Sequence, residues 1–115
     1  KKEDGEASCR KVYNMYKWHS KKRNHAFELD YSEFKKLTSS NCHYCGCPPC
    51  RIAKNTSKAS GYVYNGIDRK ENNIGYTPEN VVTCCWQCNN MKSDLDYSDF
   101  LAHVKLIAGR LSGGS

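Results

Sequence analysis

The sequence predicts a small α+β domain, and three observations lead to that fold class. Two short runs, "GYVYNGID" and "VVTCC", have the alternation or the β-branched composition of strands. Three other segments place apolar residues at helical spacing, and a fourth helix is expected from Trp86. The chain has 115 residues, of which 38% are hydrophobic, so a single apolar core is near its lower size limit. Eight cysteines are available to stabilise such a core through a bound metal or disulfides.

The first two helices are marked by residues that cap helix N-termini. Ser8 can cap a helix from Cys9 to Lys22, and Asp30 can cap the next one. Glu33 stands three residues after Asp30, in the position of a capping box. "AFEL", between these helices, is a short extended candidate. "RIAKNTSKAS", after the cysteine-rich segment, has the composition of a loop.

Two further helices follow the strands. One runs from Trp86 through "QCNNMKSD", and the last begins around 96–98 with one apolar stripe: Phe100, Val104, Ile107, Ala108 and Leu111. No internal repeat or convincing domain boundary interrupts the chain. We therefore expect one domain over 1–115, made of a basic helical lead-in (1–41), a cysteine-rich strand and helix unit (42–94), a C-terminal helix (95–111) and a linker or tail (112–115).

The charge balance favours a polyanionic partner. Eighteen Lys and Arg against twelve Asp and Glu give a net charge of +6, and many of the cations fall on the first helix. The opening "KKEDGEASCR" lacks the apolar run of a signal peptide, so we expect a cytoplasmic protein. Cysteines paired in such a compartment indicate a metal site rather than disulfides.

Two Cys-x-x-Cys pairs predict a structural zinc site. The pairs are Cys42 with Cys45 and Cys85 with Cys88, and two such turns supply four thiolates in tetrahedral arrangement. A third pair, Cys47 with Cys50, has the same spacing but encloses two prolines that restrict its backbone. A second metal could use residues outside the first set: Cys9, Cys47, Cys50 and His43. Cys9 and Cys84 are adequately explained as buried thiols.

The ordered run "IDR…GYTPENVV…CCWQCNNMKSD" resembles the HNH endonucleases, in particular phage and restriction-type members with zinc knuckles. The matching block spans 42–94, and "RNHAFELDYSEF" is similar to the lead-in of that subgroup. The resemblance implies a ββα-metal finger flanked by N-terminal and C-terminal helices. It also implies an endonuclease that hydrolyses DNA phosphodiester bonds with a Mg²⁺ or Mn²⁺ ion.

The resemblance also implies roles for individual residues. Asp68 and Asn89 would ligate the catalytic cation, whose preference for hard oxygen ligands separates it from a thiolate-bound zinc. Asn80 would brace the loop between the two strands. Lys92 would face the phosphate. Arg69 stands where the family has its general-base histidine, and a guanidinium cannot accept a proton.

Arg69 is therefore expected to hold the scissile phosphate, and the base must come from elsewhere. His25 is the first candidate, because it lies in the lead-in that resembles Asp-Arg members and imidazole titrates in the useful range. Tyr64 is the second, since strand periodicity points it to the same side as Asp68. Metal-bound water acting alone is the third.

DNA, expected to be double-stranded, is the partner that the resemblance implies, with contacts mainly to phosphate through the basic first helix. A symmetric homodimer making two nicks is expected if cutting is sequence-specific.

Two other interpretations compete with an enzymatic function. A catalytically inactive zinc-finger module that binds nucleic acid explains the charge and the cysteines equally well, and a disulfide-stapled secreted protein predicts oxidised cysteines without zinc.

Overall fold

The computed structural model describes residues 6–54 and 61–113 and confirms the predicted α+β class. Its elements, in chain order, are α1 (Glu6–Lys22), α2 (Tyr31–Thr38), β1 (Arg51–Lys54), β2 (Gly61–Tyr64), β3 (Gly66–Arg69), β4 (Val81–Cys84), α3 (Trp86–Lys92) and α4 (Tyr97–Ala108), with a final π-helical turn at Gly109–Gly113. The strands form two antiparallel pairs, β1 with β2 and β3 with β4. Within the described ranges, no helix combines the length and the apolar character that crossing a bilayer requires.

The first helix begins earlier than its capping signal predicted. α1 starts at Glu6, so Ser8 lies inside the helix and is buried, and the expected cap at Ser8 is wrong. The capping box of α2 is confirmed: Asp30 accepts a hydrogen bond from the Glu33 N–H, and the Glu33 carboxylate accepts one from the Asp30 N–H. Two local bonds therefore fix the start of α2.

The core lies between α1, α2 and the two strand pairs, and includes Ile67 of β3 and Val81 of β4. Phe34 of α2 is completely buried, and the rings of Tyr13 and Tyr16 of α1 meet it edge-on at 5.2 and 5.4 Å. Such edge-to-face pairs add to the stabilisation from burial alone. "AFEL" contributes only an isolated parallel bridge, between Phe27 and Tyr76.

The strands depart from the sequence prediction in two places. "RIAK", expected in a loop, forms β1, with Ile52 opposite Val63 of β2; the rest of that predicted loop, 55–60, lies outside the described residues. "GYVYNGID", expected as one strand, is broken at the buried Asn65, whose N–H donates to the Thr38 carbonyl. Its two halves therefore belong to different sheets.

The β3–β4 pair and α3 form the predicted strand–strand–helix unit. Asp68 lies opposite Val82 in the β3–β4 register, and β3 is almost entirely buried. Cys85 caps α3, since its Sγ accepts a hydrogen bond from the Cys88 N–H. α4 begins after Asp96 as predicted, and Phe100 packs edge-on against Tyr44, with the ring centroids 5.2 Å apart.

Candidate active site and cysteine cluster

Four cysteines meet between the β3–β4 pair and the segment that follows α2. The Sγ atoms of Cys42, Cys45, Cys85 and Cys88 all lie within 4.8 Å of one another. Three of these thiols are buried, and Cys45 is exposed. This four-cysteine cluster is the set predicted from the Cys-x-x-Cys spacing, and its donor chemistry and closeness fit a tetrahedral zinc.

Backbone donors prepare part of the cluster for metal binding. Burial alone would raise the thiol pKa of Cys42, but N–H groups of Cys45, Cys85 and Tyr44 point at its sulfur and together lower the pKa to about 6. The N–H of Cys47 likewise lowers the pKa of Cys45. Thiolate is the form that ligates a metal, so the fold favours that form at Cys42 and Cys45, whereas burial raises the pKa of the Cys88 thiol.

The other cysteines do not join this cluster. Cys47 and Cys84 pack beside it, Cys50 is exposed, and Cys9 is buried in the apolar core. Burial raises the pKa of the Cys84 thiol, with Asp68 adding to the effect. Among the described residues no second set of Cys, His, Asp or Glu is grouped closely enough to hold a metal ion.

Asp68 is fixed at the end of β3 by two groups that share one of its oxygens. The Tyr44 hydroxyl donates to Asp68 Oδ2 at 2.8 Å, and Lys92 Nζ lies 3.4 Å from the same atom. Within the described part of the chain, Asp68 Oδ1 has no hydrogen-bond partner. Desolvation, together with the bond to Asp68, raises the pKa of Tyr44, so Tyr44 remains a donor.

Tyr44 also connects Asp68 to the cysteine cluster, because it lies within the Cys42–Cys45 turn. Sequence reasoning missed this residue. The signal available was an aromatic residue with a polar tip inside a metal knuckle, which by itself does not say where the ring points. The structure therefore couples the position of a candidate metal ligand to the ordering of the thiolate site.

Lys92 does not face solvent. Its side chain is 0% exposed, and its ammonium donates to the carbonyls of Arg69 at 3.2 Å and Leu95 at 2.6 Å besides pairing with Asp68. Three acceptors match the three N–H groups of an ammonium. This burial differs from the expectation that Lys92 faces a phosphate. The contacts of Lys92 are those of a residue that positions Asp68 and β3.

His25 is placed by the C-terminal cap of α1. Asn24 has φ of 58°, and the N–H groups of Asn24 and His25 donate to the carbonyls of Lys21 and Ser20. These two bonds make a Schellman motif, with Asn24 at the left-handed position that Gly or Asn fills most readily. The motif turns the chain sharply, so His25 leaves the helix in a defined direction.

A close backbone contact holds the residue after His25. Tyr76 and Ala26 are joined by a hydrogen bond of 2.8 Å from the Tyr76 N–H to the Ala26 carbonyl. A Cβ on Gly75 would lie 2.4 Å from the Ala26 oxygen and 2.6 Å from its nitrogen. Only glycine permits this approach, which docks the His25 segment onto the β3–β4 loop.

Arg69 reaches the same loop. Its Nη1 donates to the carbonyls of Asn72 and Ile74, and its guanidinium carbon lies 5.5 Å from the centre of the Tyr76 ring. Desolvation is the main cause that lowers the pKa of His25, and the positive charge of Arg69 lowers it further. The charge of Arg69 therefore makes the protonated form of His25 less favourable.

Tyr64 does not share a strand with Asp68. It ends β2, while Asp68 belongs to β3 in the other pair, so the periodicity argument that placed both on one side is wrong. The Tyr64 ring is buried, stacks on Tyr62 with centroids 5.7 Å apart, and has Arg51 on it at 5.6 Å.

The two asparagines have contrasting surroundings. Asn80 is buried; its Oδ1 accepts from the Glu71 N–H, and its Nδ2 donates to the carbonyls of Glu71, Ile74 and Gly75. These bonds tie together the loop after β3. Asn89 is exposed on α3, three residues before Lys92 and thus on a neighbouring part of the helix surface.

Comparison with known proteins gives the fold a precedent. No protein-family model matches the chain. The solved structure of the rare-cutting HNH restriction endonuclease PacI superposes with a TM-score of 0.62 at 21% sequence identity, covering 91% of this chain and 80% of that one. The two proteins share a fold. At this level of sequence identity, the similarity supports a shared fold and nothing further.

A curated relative is closer in sequence. The uncharacterized protein R423 of Acanthamoeba polyphaga mimivirus is 42% identical over 96 residues, which are 84% of this chain. The match spans only 16% of that relative, so the chain corresponds to one segment of a much longer protein. Because the relative is itself uncharacterized, it assigns no activity to this chain.

Proposed function

We propose that the chain is a metal-dependent endonuclease that hydrolyses phosphodiester bonds in DNA. The observation that carries this proposal is the arrangement at the end of β3. Asp68 Oδ2 is held by Tyr44 and Lys92 while Oδ1 has no partner within the described ranges, and the exposed amide of Asn89 lies one helical turn before Lys92. The fold shared with an HNH restriction endonuclease supports the same activity.

Asp68 and Asn89 would hold the catalytic cation. One carboxylate and one amide oxygen suit Mg²⁺ or Mn²⁺, which commonly keep water and phosphate oxygens as their other ligands. When bound, the cation would neutralise charge on the departing 3′-oxygen and lower the pKa of a coordinated water. Lys92 would keep Asp68 in place, since a buried ammonium that is already hydrogen-bonded has no donor left for DNA.

His25 would accept the proton of the attacking water. An imidazole with a lowered pKa is neutral, and therefore able to accept a proton, at neutral pH. Arg69 would stay protonated beside it. Its Nη1 is committed to loop carbonyls, which leaves Nη2 and Nε to offset charge that develops on the phosphate.

The remaining parts would support binding and folding. Zinc at the four-cysteine cluster would fix the turn that carries Tyr44, and so the position of Asp68. The exposed cations of α1, such as Lys17, Lys21 and Lys22, would contact DNA phosphates and make binding steeply salt-dependent. A symmetric dimer stays a prediction.

The test compares nicking of supercoiled plasmid by the wild type, Asn89→Ala and Asn90→Ala. Both asparagines are exposed neighbours on α3, so the second variant is a matched control for the helix. Wild type and Asn90→Ala should nick with Mg²⁺, stop in EDTA and resume when excess Mg²⁺ alone is restored; Asn89→Ala should be inactive. DNA binding without nicking in either Mg²⁺ or Mn²⁺ would instead make the chain a non-catalytic binding module.

A further inference from the structure

A cationic cavity lies beside the candidate active site. It has a volume of about 190 Å³ and is enclosed by the end of α1, the β1–β2 pair and the loop after β3, with Met15, Tyr16, His19, Arg23, Arg51, Tyr64 and Tyr76 as its lining. Among the described residues, its ionisable lining is cationic or neutral and includes no carboxylate. By contrast, the cavity next to Asn80 is lined by Glu71 and Glu79. We call the first one the arginine cavity.

The fold restrains the two arginines of the arginine cavity in different ways, Arg51 at its guanidinium and Arg23 at its backbone. Arg51 of β1 lies over the Tyr64 ring at 5.6 Å, a cation–π contact that restricts the position of its head group. Arg23 is the last residue before the left-handed Asn24, so the Schellman motif of α1 fixes its backbone. Both side chains are exposed and remain accessible to a ligand.

The arginine cavity adjoins the residues proposed for catalysis. The Tyr76 ring lines it and also has the Arg69 guanidinium on it. Arg23 is close enough to His25 for its charge to contribute to the lowered pKa of that imidazole. A DNA strand whose scissile phosphate lies at Arg69 would therefore pass the mouth of this cavity.

We propose that the arginine cavity binds a backbone phosphate of the DNA strand, next to the phosphate that is cleaved. This inference rests on the proposed function. Guanidinium groups match the geometry and charge of a phosphate and hold it through paired hydrogen bonds. The cavity is also smaller than the roughly 300 Å³ at which sites for drug-sized molecules begin, and this size suits one phosphate group with part of its sugar.

The first test measures DNA binding in EDTA, where no cleavage occurs. A fluorescent duplex is titrated with wild type, Arg51→Met and Arg110→Met at several salt concentrations. Arg110 is exposed on the C-terminal turn and does not line the cavity, so it controls for the lost charge. Arg51→Met should weaken binding about 10-fold or more and reduce the salt slope by about one. Equal effects of both substitutions would overturn the inference.

The second test identifies which phosphate is bound and separates strand from free ion. Ethylation of the phosphate beside the nick should weaken DNA binding by wild type. It should not weaken DNA binding by Arg51→Met further, because that variant has already lost the contact. If ethylation there impairs both proteins equally, the cavity does not hold that phosphate. Inorganic phosphate at constant ionic strength should raise the thermal stability of wild type no more than that of Arg51→Met. A larger rise for wild type would make the free phosphate ion the ligand instead.

The outcomes for the two proposals are distinct. Binding that depends on Arg51, in a protein that never nicks plasmid, would retain the phosphate contact and reject the nuclease. Nicking that persists while Arg51→Met binds like wild type would retain the nuclease and reject the arginine cavity as a phosphate site.

Discussion

Replacing Asp68 should destabilise the protein as well as inactivate it. Lys92 is completely buried, with Asp68 Oδ2 at 3.4 Å as its only negative partner within the described residues. In Asp68→Ala, two neutral carbonyls would remain to compensate an ammonium cut off from water. Removing one member of a buried ion pair costs about 3–5 kcal/mol, a large part of the 5–15 kcal/mol that typically separates folded from unfolded domains.

Urea unfolding of the zinc-loaded protein measures this cost. Asp94→Ala is the matched control, because Asp94 is exposed and a surface change of this kind should stay within about 0.5 kcal/mol. The double variant Asp68→Ala/Lys92→Met should recover much of the loss, since an apolar replacement for a whole buried pair is often tolerated.

A loss below about 1 kcal/mol for Asp68→Ala, with no recovery in the double variant, would refute the reasoning about the pair. If the predicted loss is found, inactivity of Asp68→Ala alone will not identify a metal ligand. Asn89→Ala then becomes the cleaner test of the cation site, because Asn89 is exposed on α3.

Four further predictions concern the positioning of the site. Tyr44→Phe should keep the fold but lower nicking about 10- to 100-fold, as is usual when a group that orients a metal ligand is removed; unchanged rates would remove Tyr44 from the account. Asn24→Ala should lose about 1 kcal/mol in urea unfolding because of its left-handed backbone, whereas Asn24→Gly should not, and equal losses would contradict the Schellman assignment. The pKa of His25, measured by NMR, should lie below the ordinary value of about 6.5 and should rise in Arg69→Met. Because the folded state binds the His25 proton more weakly than the unfolded state does, the free energy of unfolding keeps its full His25 contribution above the unfolded pKa and loses it as the pH falls. Stripping zinc with a strong thiol-competing chelator should abolish the folded circular dichroism signal reversibly, and a fully folded metal-free protein would contradict a structural role for the cluster.

Local signals in the sequence predicted the parts of the fold that depend on neighbouring residues. The capping box of Asp30 and Glu33 needs only a three-residue spacing, and each Cys-x-x-Cys turn brings two thiols together by itself. Both features are present in the structure as expected. The order of two strands and a helix from Trp86 was likewise predicted, although β3 covers only the end of the segment "GYVYNGID" that was expected as one strand.

Features that depend on distant residues could not be read in the same way. β1 exists because β2 pairs with it, and its residues have no strand signal strong enough to predict that pairing. Asn65 divides the predicted strand "GYVYNGID" by donating its N–H to the carbonyl of Thr38, which is far away in sequence. Lysine is rarely buried, so the position of Lys92 inside the protein became evident only from the three acceptors that surround it.

The most direct test of the central claim is Mn²⁺ binding followed by electron paramagnetic resonance, in the presence of a nuclease-resistant DNA duplex. Zinc-loaded wild type and Asn90→Ala should each bind one Mn²⁺ that Mg²⁺ displaces, and Asn89→Ala should bind it much more weakly. Equal Mn²⁺ binding by all three proteins, or none by wild type, would contradict a catalytic cation held between Asp68 and Asn89.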